Sequence, residues 1–146
     1  MDTQPLYTVK ADLFRALAHP ARIQVLEVLA VEPDRTVLVP RLLEATGAEP
    51  SALSQHLAVL KRAGVVESQR SGNAVRYRLT EPLVAELLVV ARAFLLRRLA
   101  ADDDASRLDV VRRLPTLPGA TARGVLDAAE ADLPDKVRTT VTEESR

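Results

Sequence analysis

The 146-residue sequence contains no cysteine, which excludes disulfides, thiolate metal sites and cysteine nucleophiles. It has no run of about 18 uninterrupted apolar residues and no charged-then-apolar leader, so neither a membrane span nor a secretory signal is expected. It also lacks a glycine-rich phosphate loop and a paired catalytic histidine and carboxylate, so it is not expected to be an enzyme or to hold a cofactor. It has no net charge either. Twenty lysines and arginines balance twenty aspartates and glutamates, with a pI near 6.7. That balance at first argues against nucleic acid, whose binders are often basic overall. What is present is a composition 47% hydrophobic and 27% charged, enough for one compact cytoplasmic domain with a real core.

The zero is not uniform along the chain. Residues 1–50 carry five cations against seven anions, a net of −2, and residues 81–146 carry ten against twelve, again −2. Between them, Lys61, Arg62, Arg70, Arg76 and Arg78 face Glu67 alone, giving residues 51–80 a net of +4.

Hydrophobic spacing organises the same chain into helices and one hairpin. Leu13, Phe14 and Leu17 predict a helix over 10–17 after a Thr8 cap. His19-Pro20 restarts the chain, since proline suits a first helical position, and Ile23, Leu26, Leu29 and Ala30 give the second helix one apolar stripe. Pro33-Asp34 ends it. A short third helix over 40–46 stops at Gly47. Pro50 opens a fourth, with Glu49 placed to favour its exposed amides, Leu53, Leu57 and Leu60 inward, and Gly64 at its end. The period then changes to two. Residues 65–70 and 75–79 predict strands joined by the turn-forming stretch 71–74, with Val75, Tyr77 and Leu79 on one face and Arg76 and Arg78 on the other. Thr80 is placed to cap a long fifth helix over 81–101, too apolar all round for one small core to cover. Two shorter helices, over 106–114 and 121–133, follow the acidic turn Asp102-Asp103-Asp104, and residues 134–146 read as a frayed tail.

This order predicts a mostly α fold with a small antiparallel β-hairpin: a winged helix-turn-helix with extra C-terminal helices. The expected division is a DNA-binding and dimerisation domain over 1–101, a helical extension over 102–133 and a tail over 134–146. Gly47-Ala48-Glu49 is the short turn that such a motif needs, and the fourth helix is the one expected to enter the major groove. Its outward arc is Ser51, Ala52, Ser54, Gln55 and Ala58. Gln55 has the bidentate geometry for adenine, and Ser51 and Ser54 suit phosphates or bases. His56 on the same helix is expected to meet phosphate or to pack. Lys61 and Arg62 belong to the same basic surface. Arg70, Arg76 and Arg78 are expected to meet phosphates from the wing, and Asn73 to reach the minor groove from its tip. The apolar fifth helix, with Leu83, Leu87, Val90 and Phe94, is expected to bury its surface against a second copy of the chain.

The residues that carry these expectations also carry a resemblance. The segment 13–23, built around Ala18-His19-Pro20-Ala21-Arg22, resembles the opening signature of the arsenic-repressor (ArsR/SmtB) family. Residues 51–66, with Ser54-Gln55-His56-Leu57, resemble its recognition helix, and residues 70–79 its wing. Together the match covers about 10–98. It implies a dimeric bacterial transcription repressor, paired through its first helix (Leu13 and Leu17) and its last and released from double-stranded operator DNA by an effector, and two such copies suit an inverted-repeat operator. The chain also departs from the family. Where soft-metal sensors carry a Cys-x-Cys pair it has Leu38 and Pro40, its fifth helix has no histidine, and Pro50 replaces a glutamine common at the start of the recognition helix. No metal site is therefore expected. His19 should cap or pack, and the three consecutive aspartates should form a solvated turn. A small apolar effector between the fifth and C-terminal helices, or no effector, are the regulatory readings left. The competing function is a winged helix used for protein contacts alone.

Overall fold

The structure, a computed structural model, describes residues 4–31, 36–101, 105–113 and 131. Its elements are α1 (Gln4–Leu17), α2 (Pro20–Val31), β1 (Thr36–Leu38), α3 (Val39–Thr46), α4 (Pro50–Arg62), β2 (Val66–Ser71), β3 (Ala74–Leu79), α5 (Leu83–Ala101) and α6 (Ala105–Arg112). The expected hairpin is present, but β1 extends it to a three-stranded antiparallel sheet of order β1-β3-β2. The helix expected over 121–133, apart from residue 131, the tail over 134–146 and the acidic turn lie outside the described residues.

One core joins the helices to the sheet. Val25, Leu26, Leu29 and Ala30 of α2 meet Leu42 of α3, Leu53, Leu57 and Leu60 of α4, Val37, Val66 and Leu79 of the sheet, and Ala85 and Leu88 of α5. Each leucine fully buried there is worth roughly 1.5–3 kcal/mol of transfer free energy. The α3–α4 turn is fixed by Gly47, at φ +63°, whose N–H donates to the Leu43 carbonyl at 2.9 Å. A side chain rarely accepts that left-handed geometry, which is why glycine ends α3.

Two helix starts, those of α1 and α5, differ from expectation, each for a local reason. α1 begins at Gln4, two turns earlier, because Pro5 suits a first helical turn. Thr8 is then interior, and its hydroxyl donates back to the Gln4 carbonyl at 3.1 Å. Thr80 does not cap α5. Its hydroxyl donates to the Gly64 carbonyl at 2.6 Å and its N–H to the Val65 carbonyl, tying the end of β3 to the start of β2. The Pro82 carbonyl instead accepts from the first α5 amides, Ala85 and Glu86. Glu49 occupies the N-cap position of α4, but its side chain makes no capping hydrogen bond.

Candidate nucleic-acid interface

Three leucines orient α4. With Leu53, Leu57 and Leu60 buried, a period of 3.6 residues turns Ser51, Gln55, Ala58 and Arg62 directly away from the core. All four are exposed. They form one ridge on which small residues, an amide and a guanidinium alternate, so a nucleic-acid surface can approach closely around Gln55.

The two flanks of that ridge have different neighbours. On one flank lie Ser54 and Lys61. The Lys61 ammonium donates to the Ser68 hydroxyl of β2 at 2.8 Å. Ser54 and Leu57 form one wall of a groove of about 580 Å³ whose far wall is the wing, with Asn73, Val75 and Tyr77. On the other flank Ala52 and His56 are half-buried. The His56 ring lies against that of His19, centroids 4.1 Å apart and tilted by 38°. His56 thus points toward the start of α2 rather than along the exposed ridge.

His19 itself caps α2: its Nδ1 accepts the Ala21 N–H at 3.1 Å. Burial, then the His19 imidazole, then the Arg22 guanidinium hold the His56 pKa below the ordinary histidine value. A histidine that prefers to be neutral when folded adds stability fully present above the unfolded pKa of about 6.5 and lost as the pH falls through and below it. The melting midpoint is therefore expected to drop between pH 8 and pH 5, and to drop less in His56→Gln. Identical pH profiles in the two proteins would refute this assignment.

The wing divides its cations between two faces. Residues directly opposite across an antiparallel ladder share a face. The register pairs Val66 with Leu79, Ser68 with Tyr77 and Arg70 with Val75, all on the face that continues the core. Glu67 with Arg78, Gln69 with Arg76 and, from β1, Thr36 and Leu38 occupy the outer face. Arg70 therefore lies on the α4 side of the wing and is not grouped with Arg76 and Arg78. All three are exposed, as are Lys61, Arg62 and the tip residue Asn73. Gly72, at φ +60°, lets the chain reverse in two residues between Ser71 and Ala74. Arg78 is ion-paired through Nε with Glu67, an interaction that the sequence reading passed over although Glu67 is the sole anion in its basic segment.

The residues assigned to dimer contact are also sorted by the fold. On α5, Leu83, Leu87, Val90 and Phe94 fall at i, i+4, i+7 and i+11, one stripe opposite buried Ala85 and Leu88. Leu83, Val90 and Phe94 are exposed and Leu87 is half-buried. On α1, Leu17 belongs to the protomer's own core and Leu13 is half-buried, so little of Leu17 is left for a partner. The open apolar surface of α1 lies nearer its start, at Leu6, Tyr7 and Val9, and at Phe14. The signal missed was Pro5, with Leu6, Val9 and Leu13 at helical spacing behind it.

Among the described residues, no three histidine, aspartate or glutamate side chains gather as a metal site, and no helix is long and apolar enough to cross a membrane.

Comparison with known proteins bears on this geometry. The profile of a helix-turn-helix domain family matches residues 17–69, from the end of α1 through α4 into β2. An uncharacterised HTH-type transcriptional regulator of Mycobacterium tuberculosis, Rv0081, is 54% identical over 101 residues, covering 68% of this chain and 86% of the relative. Its crystal structure superposes with a TM-score of 0.61 over 67% of this chain and 96% of that one, at 50% identity. A probable mercury resistance operon repressor of Streptomyces lividans is 34% identical over 105 residues, 72% of this chain and 77% of the relative. A homodimeric winged helix-turn-helix DNA-binding domain from Mycobacterium bovis, described as a possible ArsR-family transcriptional regulator, matches at 30% identity. Its TM-score is 0.56, over 64% of this chain and 83% of that one.

Proposed function

This chain belongs to the ArsR-type winged helix-turn-helix transcriptional regulators, and we propose that it acts as a homodimeric repressor that places α4 in the major groove of an inverted-repeat operator. The observation that carries the reading is the exposed ridge Ser51, Gln55, Ala58 and Arg62, flanked by a basic wing on the side of Ser54 and Lys61. Gln55 at the centre of the ridge supplies base readout. Arg62, Arg70 and Arg76 supply phosphate contacts, and Asn73 reaches the minor groove. His56 acts from the flank, by fixing α4 against α2. DNA binding and dimerisation are assigned to the chain up to Ala101, and no catalytic role is assigned to any residue. With no cysteine to hold a soft metal, regulation on this reading is by a small apolar molecule or by no effector at all.

The test uses a duplex selected by the full-length protein from a random-sequence pool, compared with an unselected duplex of equal length. Gln55→Ala is expected to cost about 1–3 kcal/mol on the selected duplex and little on the other. Arg76→Ala is expected to weaken both duplexes alike and to lower the slope of log affinity against log salt by about 0.9 per protomer. No selectable duplex, and no binding of any duplex at low salt, would replace this reading with a protein-contact role for the wing. Equal losses on both duplexes for the two variants would remove Gln55 from the readout.

A further inference from the structure

The lone anion of the basic segment stands on the wing's outer face, one rung from the base of the hairpin. Glu67 is paired in register with Arg78, next to the Gln69–Arg76 pair, and its carboxylate accepts from Arg78 Nε. Together with Thr36 these side chains border a shallow concavity of about 380 Å³. The two side chains are 58% and 45% exposed, so the pair stands in water, where such bridges add little to stability. The sheet is already held by the Val66–Leu79 pair, whose two members are buried, so the core does not need the ion pair. Its consequence is electrostatic. A carboxylate bonded to Nε takes one of the five donors of the guanidinium, and it adds negative charge where a polyanion must approach.

We propose that Glu67 is an affinity-determining residue of the wing, an internal stand-in for phosphate that masks Arg78 and limits how tightly the protein holds DNA of any sequence. This rests on the DNA-binding reading. Arg76 projects from the same face but is set opposite Gln69, which is neutral. The wing therefore offers one unmasked outer arginine and one masked, and the balance between them sets the non-specific, salt-dependent part of the affinity.

The experiment measures affinity of the full-length protein and its variants for an unselected duplex across a salt series, with elution from heparin as a measure of polyanion binding that needs no operator. Glu67→Gln is expected to gain roughly fivefold per wing near 0.15 M salt, to steepen the log–log slope by about 0.9 per protomer, and to elute from heparin at higher salt. Glu67→Gln/Arg78→Ala should lose that gain, and Arg78→Ala alone should cost less than Arg76→Ala. An unchanged slope and unchanged heparin elution in Glu67→Gln would overturn the proposal. So would a gain that persists in the double variant, or an Arg78→Ala loss as large as that of Arg76→Ala. Wild-type protein that binds no duplex at low salt would instead overturn the DNA-binding reading itself, and the proposal with it. Matching melting midpoints for wild type and Glu67→Gln establish that the comparison is between folded proteins.

Discussion

Changing Val90 and Phe94 together to glutamate is expected to leave a folded monomer whose affinity for a selected inverted-repeat duplex is lower by about two to four orders of magnitude. The size of the effect follows from how α5 is built. Ala85 and Leu88 dock it on the core, yet Leu83, Val90 and Phe94 on the opposite side stay 43%, 43% and 60% exposed. The α1 residues Leu6, Tyr7, Val9 and Phe14 are at least half exposed as well. Large apolar side chains left exposed on both helices fit the proposed dimer, in which a second copy of the chain would cover them with the same residues by two-fold symmetry. Pairing through α1 and α5 leaves α4 free, so two copies of the ridge can meet successive major grooves about 34 Å apart. Once one half-site is held, the second binds as an intramolecular event, and that advantage is what the double variant removes. Sedimentation of the two proteins, circular dichroism and anisotropy with the selected duplex together check the result. A wild-type monomer, or a variant that still sediments as a dimer, would refute the assignment.

The parts of this interface that were legible in the sequence are those written by short-range rules. The α4 ridge follows from three leucines and two punctuating glycines, Gly47 and Gly64, and the wing from a switch to period two around Gly72. Their arrangement was visible because each rule acts within a few residues. What was not legible depends on partners distant in the chain. β1 has three residues, too few for any period to register, and it exists because Val37 pairs with Tyr77 forty positions away. Arg70 lies on the other wing face from Arg76 and Arg78 because of the β2–β3 register. The Glu67–Arg78 pair follows from the same register. On α4 alone His56 suits either a phosphate contact or packing, and only the position of His19 at the start of α2 shows that it packs. The early start of α1 was hidden differently. Thr8 is as good a cap as it is an interior residue that bonds back to Gln4, and the local pattern does not choose between them.

Glu27→Ala is expected to cost about 3 kcal/mol of stability, or a fall of about 10 °C in the melting midpoint. Glu27 and Arg92 form the ion pair that joins α2 to α5, with Oε1 and Nη2 3.1 Å apart and only 17% and 16% of the two side chains exposed. Arg92 lies on the core-facing side of α5, opposite the Leu83–Phe94 stripe. Removing the carboxylate takes from a nearly buried cation the counter-charge that Glu27 supplies, and that desolvation cost, rather than the intrinsic strength of the bridge, sets the size of the effect. The pair keeps about a sixth of its surface in water, which places the expectation at the lower end for buried pairs. The same reasoning makes a second, opposite expectation. Glu27→Leu/Arg92→Met, which removes both charges and keeps the volume, should recover most or all of the stability. Because α5 carries the dimer stripe, the single variant should also dimerise more weakly, by loosening the helix rather than by altering its exposed face. Urea unfolding of the three proteins checks the first two points, and dilution of the dimer checks the third. A Glu27→Ala protein as stable as wild type, or a double variant no better than the single one, would mean that the α2–α5 contact is held by Ala85 and Leu88 alone.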